Sequence, residues 1–285
     1  MLLAQISDLH LDGGARAAER AARVVTYINA MHRRPDAVLV TGDIADHGTA
    51  AEYAEAAELL ARIEAPVLTC PGNHDDRAAY RKGLLDLPGG PGGTTQDPYA
   101  PVNRSHRVGG YAILMCDSTI PGEDGGVLED TTLEWIARTL DGLGDTPALL
   151  AFHHPPTVIH HEYLDSINLG NADRLAELLA AHAHKHAQKH AHTATAPASP
   201  PVTAGTAVAA VLVGHAHTSG ATTFAGLPLL VAPGVTSTLR MPWEAGEGLV
   251  NIVSPPGVAF HFLDEDRRIM THFRVVEHPD DHHAG

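Results

Sequence analysis

Five short blocks in this chain carry side chains able to hold metal ions: Asp8-Leu9-His10, Gly42-Asp43, Gly72-Asn73-His74-Asp75, His153-His154-Pro155 and Gly214-His215-Ala216-His217. Every block offers imidazole, carboxylate or amide oxygen and none offers sulfur, a donor set that suits borderline first-row divalent cations. Two such cations about 3.5–4 Å apart clamp a phosphoryl group, generate a hydroxide nucleophile and stabilise both the attacking and the leaving oxygen. A lone Asp-x-His reads more simply as a cap or a surface pair, and Gly-His-Ala-His arises easily in a chain with 21 His. Taken together, the five blocks point to one binuclear centre and to phosphoryl chemistry.

The elements that must position these blocks are legible as short apolar runs at 2–6, 37–40, 67–70, 112–116, 148–152, 208–213 and 229–231. Continuous runs of this length suit strands buried on both faces. Helical periodicity fills gaps at 15–31, 50–63 and 131–140, and a helix capped by Asn171 or Asp173 runs to Leu179. Strands alternating with helices predict an α/β fold with helix-covered sheets. Each block follows a strand directly, where open α/β sheets collect their ligands. Asp8 and His10 are two residues apart, as are His215 and His217, so a strand period of two predicts that each pair shares a face.

In this order the five blocks resemble the calcineurin-like metallophosphoesterases. Gly72-Asn73-His74-Asp75, Phe152-His153-His154-Pro155-Pro156 and Asp117-Ser118-Thr119 bring the resemblance closest to the bacterial cyclic-nucleotide and glycerophosphodiester phosphodiesterase branch. The matching motifs run from Asp8 to His217, about three-quarters of the chain. The resemblance implies a four-layer αββα sandwich of two mixed sheets. It also implies two divalent metal ions, Fe and/or Mn first, with Zn or Co also suited. By family pattern the first ion takes Asp8, His10, Asp43 and His217, and the second takes Asp43, Asn73, His153 and His215. Asp43 is then the bridge. His74 is expected to face the substrate as a general acid, with Asp46 accepting a hydrogen bond from it.

Asp75 is expected to set its turn and His154 to be structural. The activity so implied is hydrolysis of a small phosphodiester, 3′,5′-cyclic nucleotides first, by attack of a metal-bridged hydroxide on phosphorus. A glycerophosphodiester phosphodiesterase, a nucleotide pyrophosphatase and a phosphomonoesterase are the alternatives. A non-catalytic scaffold is more remote, because every ligand position is filled here. The substrate pocket is expected to draw on residues 160–171 and 234–243.

With 19 basic against 34 acidic residues, the chain carries −15 with His neutral. Extended nucleic-acid contact is thereby disfavoured, since it relies on many Lys and Arg against phosphates. A small phosphate ester is still compatible, because bound cations dominate the field of their own pocket. Cys70 and Cys116 lie in strand-like runs and read as buried free thiols. Residues 1–6 lack a basic leader and read as a core strand. No run of about 18 apolar residues offers a membrane span, so the cytoplasm is the expected address. Homo-oligomerisation is left open.

Residues 1–240 read as the phosphoesterase core, interrupted by an insertion at 182–205 in which five His in eleven residues give way to an Ala/Pro/Thr-rich stretch. Such a tract can bind metal, but a solvated bulge is the plainer reading, and its His, like His160 and His161, read as surface residues. Residues 87–103 read as a Gly/Pro-rich loop. Residues 241–276 read as a C-terminal strand hairpin that packs on the core and turns at Pro255-Pro256-Gly257, and 277–285 as a flexible tail.

Overall fold

A computed structural model describes residues 1–85, 97–191 and 208–278. In the first part of the chain β1 (Leu2–Ile6), β2 (Ala37–Thr41) and β3 (Val67–Cys70) are parallel neighbours. The crossovers between them are α1 (Ala15–Asn29) and α2 (Ala50–Leu60), and the short α3 (Arg77–Tyr80) follows β3. A capping box starts α2: Thr49 Oγ1 accepts from Glu52 N–H while the Glu52 carboxylate accepts from Thr49 N–H, which satisfies two otherwise orphaned donors.

The second part contributes β4 (Arg104–Val108), β5 (Tyr111–Met115), α4 (Asp130–Gly142), β6 (Ala148–Ala151) and α5 (Glu162–Ser166). It continues through α6 (Ala172–Ala191), β7 (Val208–Val213), β8 (Gly220–Phe224) and β9 (Leu227–Val231). Its six strands form a mixed sheet in the order β4-β5-β6-β7-β9-β8. A small antiparallel pair follows, β10 (Thr238–Leu239) with β11 (Val250–Asn251). The chain then returns as β12 (Gly257–Leu263) and β13 (Ile269–Val275), and β12 pairs antiparallel with β1. The first sheet thus has five strands, β13-β12-β1-β2-β3.

Alternation along the strands separates the layers. Leu3 and Leu39 pack against Ile113, Met115, Leu149 and Leu212 of the other sheet. Their neighbours Ala4, Ile6, Val38 and Val40 pack with Val24, Ile28 and Tyr53 of α1 and α2. On the far side Ala112, Leu114, Leu150 and Val211 meet Ile136 and Leu140 of α4 and Leu175 and Leu179 of α6. Helices, sheet, sheet and helices stack in that order, so the fold is the expected αββα sandwich. Strands covered on both sides need apolar residues at every position, which is why their runs are unbroken.

The C-terminal hairpin turns between β12 and β13, where Asp264 accepts from Arg268 N–H, and not at Pro255-Pro256-Gly257. Gly257 already begins β12, and the two prolines before it have no N–H to offer a ladder. Helix α6 reaches Ala191, so residues 182–191 are helical rather than a bulge, as suits an Ala-rich stretch. Residues 192–205 of the expected insertion, 87–96 of the expected loop and 279–285 of the expected tail lie outside the described residues. Cys70 and Cys116 are buried free thiols. Among the described residues no helix is long and apolar enough to cross a membrane.

Candidate metal centre

Past the ends of β1 and β2 the two backbones stay zipped. Asp8 N–H donates to Gly42 O at 3.1 Å, His10 N–H to Asp43 O at 2.9 Å and Leu11 N–H to Ile44 O at 3.0 Å. On the second sheet Gly214 N–H donates to His153 O at 2.9 Å, which sets the His215 loop beside His153. The paired ligands are not placed by a strand period of two. Asp8, His10, Asp43, His215 and His217 have φ of 57°, 43°, 50°, 67° and 47°, all left-handed, so both pairs lie in turns beyond their strands. Such backbone costs about 1–3 kcal/mol per non-Gly residue and survives where its surroundings enforce it, typically at functional sites. Close approach explains the neighbouring glycines. A Cβ on Gly42, itself at φ +91°, would overlap the His153 ring, and one on Gly72 would overlap the Asp43 carboxylate.

These turns bring all the expected ligand residues into one cluster. Asp43 Oδ2 stands between two imidazoles, 3.4 Å from His10 Nε2 and 3.3 Å from His153 Nε2. On the His10 side, His217 Nε2 is 3.1 Å from His10 Nε2 and 3.5 Å from Asp8 Oδ1. On the other side, Asn73 Oδ1 is 3.1 Å and His215 Nδ1 is 3.2 Å from His153 Nε2.

The far nitrogens of the two central rings are committed elsewhere. His10 Nδ1–H donates to Asp46 Oδ1 at 2.7 Å, and His153 Nδ1–H donates to Thr41 O at 2.7 Å. Both partners only accept, so each neutral ring keeps its Nε2 lone pair for the cluster. His217 Nδ1 is held by Ser237 Oγ at 2.8 Å. Ring nitrogens and carboxylate oxygens therefore face one another, and Asp8 Oδ2 is buried with no hydrogen-bond partner. Converging acceptors of this kind repel unless a cation lies among them. The N/O donor set fits two divalent metal ions.

Titration reflects the same attraction. Burial opposes charge on His153, yet the Asp43 carboxylate and its hydrogen bond raise the imidazole to about 9, so a divalent ion there would take the place of a proton on Nε2. Burial likewise opposes charge on Asp43, but His153 and His10 hold it well below the usual carboxylate range. His215 and His217 are both pushed down, chiefly by burial, toward the neutral form that ligates.

His74 stands at the rim. Its N–H donates to Asp43 Oδ1 at 3.0 Å, and its Nδ1–H donates to the main-chain oxygen of Asp46 at 2.8 Å. The expected bond from His74 to the Asp46 carboxylate is thus made by the carbonyl instead. The carboxylate oxygen, 3.6 Å from His74 Nδ1, is drawn to the half-buried His10. Asp75 accepts from the N–H groups of Gly72, Ile44 and Ala45 and from Tyr53 Oη–H. Burial, then the nearby Asp43 charge, lifts its carboxyl to about 6.

His154 is buried close to His153 and His215, but both its nitrogens are used, Nδ1 with Ser118 Oγ at 2.8 Å and Nε2 with Asp124 O at 3.2 Å. Burial, then the His153 charge, pushes it down to about 3. His154 groups with His153 and His215, but with both nitrogens hydrogen-bonded it has no lone pair to spare.

A cleft of about 290 Å³ opens over the cluster, lined by His10, Asp43, Asn73, His74, His215 and His217 together with Tyr163, Leu164, Ile167, Leu239, Leu249 and Val250. Asp124 also lines it, and no Lys or Arg does among the described residues. Tyr163, Ile167 and Leu239 fall in the stretches expected to supply the pocket. Leu249, Val250 and Asp124 do not, and nothing in their local sequence marks them. Ser237 carries no motif either, although it orients His217.

The calcineurin-like phosphoesterase family model matches residues 1–219. A cAMP/cGMP dual specificity phosphodiesterase of Mycobacterium tuberculosis is 31% identical over 256 residues, covering 86% of this chain and 70% of that protein. The glycerophosphodiester phosphodiesterase GpdQ of Enterobacter lignolyticus is 35% identical over 188 residues, covering 63% of this chain and 66% of that protein. Among solved structures, a purple acid phosphatase from yellow lupin seeds aligns with a TM-score of 0.57 at 12% identity, over 97% of this chain and 51% of that one, a likeness of fold alone. The family match spans every residue of the cluster, from Asp8 to His217, and this chain belongs to the calcineurin-like phosphoesterase family.

Proposed function

We propose that this protein is a binuclear-metal phosphodiesterase that hydrolyses small phosphodiesters, 3′,5′-cyclic nucleotides first. One observation carries the reading: Asp43 Oδ2 lies between His10 Nε2 and His153 Nε2, with Asp8 and His217 grouped on one side and Asn73 and His215 on the other. Two divalent ions held there, Fe and/or Mn first, would supply electrophilic charge to the phosphoryl oxygens and lower the pKa of an attacking water.

The chain's own groups do the rest. Asp46, Thr41 and Ser237 orient the imidazoles so that their lone pairs converge. The His74 N–H holds Asp43 Oδ1, which leaves Oδ2 facing His10 and His153, where Asp43 would help hold the ions. His74 itself, anchored through Nδ1, keeps Nε2 for the leaving oxygen, and a proton carried there passes to the departing alkoxide. A lining without Lys or Arg among the described residues suits a monoanionic diester better than a dianionic monoester, which an Arg fork would favour. The apolar side chains of Tyr163, Ile167, Leu239 and Leu249 offer more to a nucleobase than to glycerol.

The test is a two-step comparison with metal-loaded enzyme. Bis(p-nitrophenyl) phosphate should be cleaved faster than p-nitrophenyl phosphate, and cyclic AMP faster than glycerophosphocholine. Faster monoester cleavage would remove the diesterase reading. Activity on glycerophosphocholine alone would keep the chemistry and replace the substrate.

A further inference from the structure

Helix α6 carries a second set of imidazoles away from the catalytic cluster. Its stripe toward α4 runs Leu175, Leu179, His182 and His186, at steps of four, three and four residues, the spacing of a helix–helix seam. Leu175 and Leu179 pack with Leu133, Ile136 and Leu140 of α4. The next two seam positions hold imidazoles where further leucines would continue the packing. The surface reading of these His from sequence is therefore corrected at His182, which is 9% exposed. Neither of its ring nitrogens has a hydrogen-bond partner, and buried polar atoms are rarely left so.

Asp141 completes the set from the neighbouring helix. Its Oδ1 is 3.4 Å from His182 Nδ1, and its Oδ2 is 3.5 Å from Lys185 Nζ. The His182 and His186 rings are 6.4 Å apart between centroids, one helical turn along the same face. Two His at i and i+4 on a helix are a geometry that binds zinc, and a turn of the His186 ring toward His182 would complete the set. Lys185, with a side chain 67% exposed, can swing into water as a cation takes its place beside Asp141. The opposite face of the helix behaves differently, since His184 is exposed and bonded to Gln188 Nε2 at 2.7 Å.

We propose that His182, His186 and Asp141 form a separate divalent-metal site that staples α6 to α4. Two imidazoles and one carboxylate suit a zinc-like ion, with water in the fourth position. The role is structural and does not depend on the diesterase reading.

The experiment uses the full chain with its binuclear centre already loaded, dialysed against Zn(II), with metal per chain and thermal melting measured together. Wild type should bind one more zinc per chain than His182→Gln or Asp141→Asn. Its melting temperature should rise on zinc addition, and the rise should vanish in both variants. His184→Ala should keep the extra ion, and cleavage of bis(p-nitrophenyl) phosphate should stay within about twofold of wild type in all three variants. If His182→Gln does not fold, Asp141→Asn decides alone, because its side chain is 53% exposed. The proposal is overturned if wild type takes up no extra zinc or if the extra ion survives in either seam variant. Equal loss in His184→Ala would also overturn it, by showing that the His-rich helix gathers zinc without a site.

Discussion

His10 Nδ1 lies 2.7 Å from Asp46 Oδ1, while the main-chain oxygen of the same Asp46 takes His74 Nδ1 at 2.8 Å. One residue thus orients the His10 imidazole of the cluster with its side chain and the rim imidazole with its backbone. The His10 bond also holds the Asp46 carboxyl below its ordinary range. Side-chain replacement should therefore separate the two functions.

Asp46→Ala should weaken metal binding at the His10 side by about 10–100-fold, the usual cost of losing a carboxylate behind a ligating His. The dependence of rate on leaving group should stay near that of wild type, because the backbone anchor of His74 remains. Metal titration and a leaving-group series check this. Unchanged affinity would show that His10 needs no carboxylate behind it.

His74→Ala should keep both ions and lose roughly 10²–10⁴ in rate on diesters with poor leaving groups, the range for a missing general acid. The deficit should shrink for p-nitrophenolate, which departs without a proton. Equal losses across the series would take the acid role from His74.

His261 provides a pH prediction away from the metals. It is buried, with Nε2–H donating to Gln5 Oε1 at 2.9 Å and Nδ1 accepting from Thr271 Oγ1–H at 2.8 Å. Burial pushes it down to about 3. As pH falls below roughly 6.5 the unfolded chain takes up this proton and the folded chain does not. The unfolded state then binds more protons, so stability drops through that window and levels off near the folded value, a loss of up to a few kcal/mol. His261→Gln should flatten the loss between pH 7 and pH 4.5 in urea melts. Parallel losses in wild type and variant would place the acid sensitivity elsewhere.

Strands covered on both faces, such as β2 and β7, announce themselves as unbroken apolar runs. The edge strands β4 and β8 do not: Arg104-Ser105-His106-Arg107 and Gly220-Ala221-Thr222-Thr223 each have a solvated face and so carry no such run. At the centre, residue types and order were enough to select residues that the fold gathers into one cluster, but not the backbone that delivers them. Left-handed turns at Asp8, His10, His215 and His217 arise from long-range pairing between loops, which local periodicity does not encode. Asp46 was legible as a carboxylate near His74, but which of its oxygens faces which ring depends on the zipper between the first two loops. At His182 the repetitive composition of the tract hid its place on the α4 seam.

Asp43 carries the central claim, because its Oδ2 is shared by the His10 and His153 sides. Metal content and diester turnover of Asp43→Asn, measured on one preparation beside wild type, test it most directly. A neutral amide bridges two cations poorly, so the variant should lose ions from the cluster and show no measurable cleavage of bis(p-nitrophenyl) phosphate. Wild-type metal content together with a near-normal rate would contradict a binuclear centre hinged on Asp43.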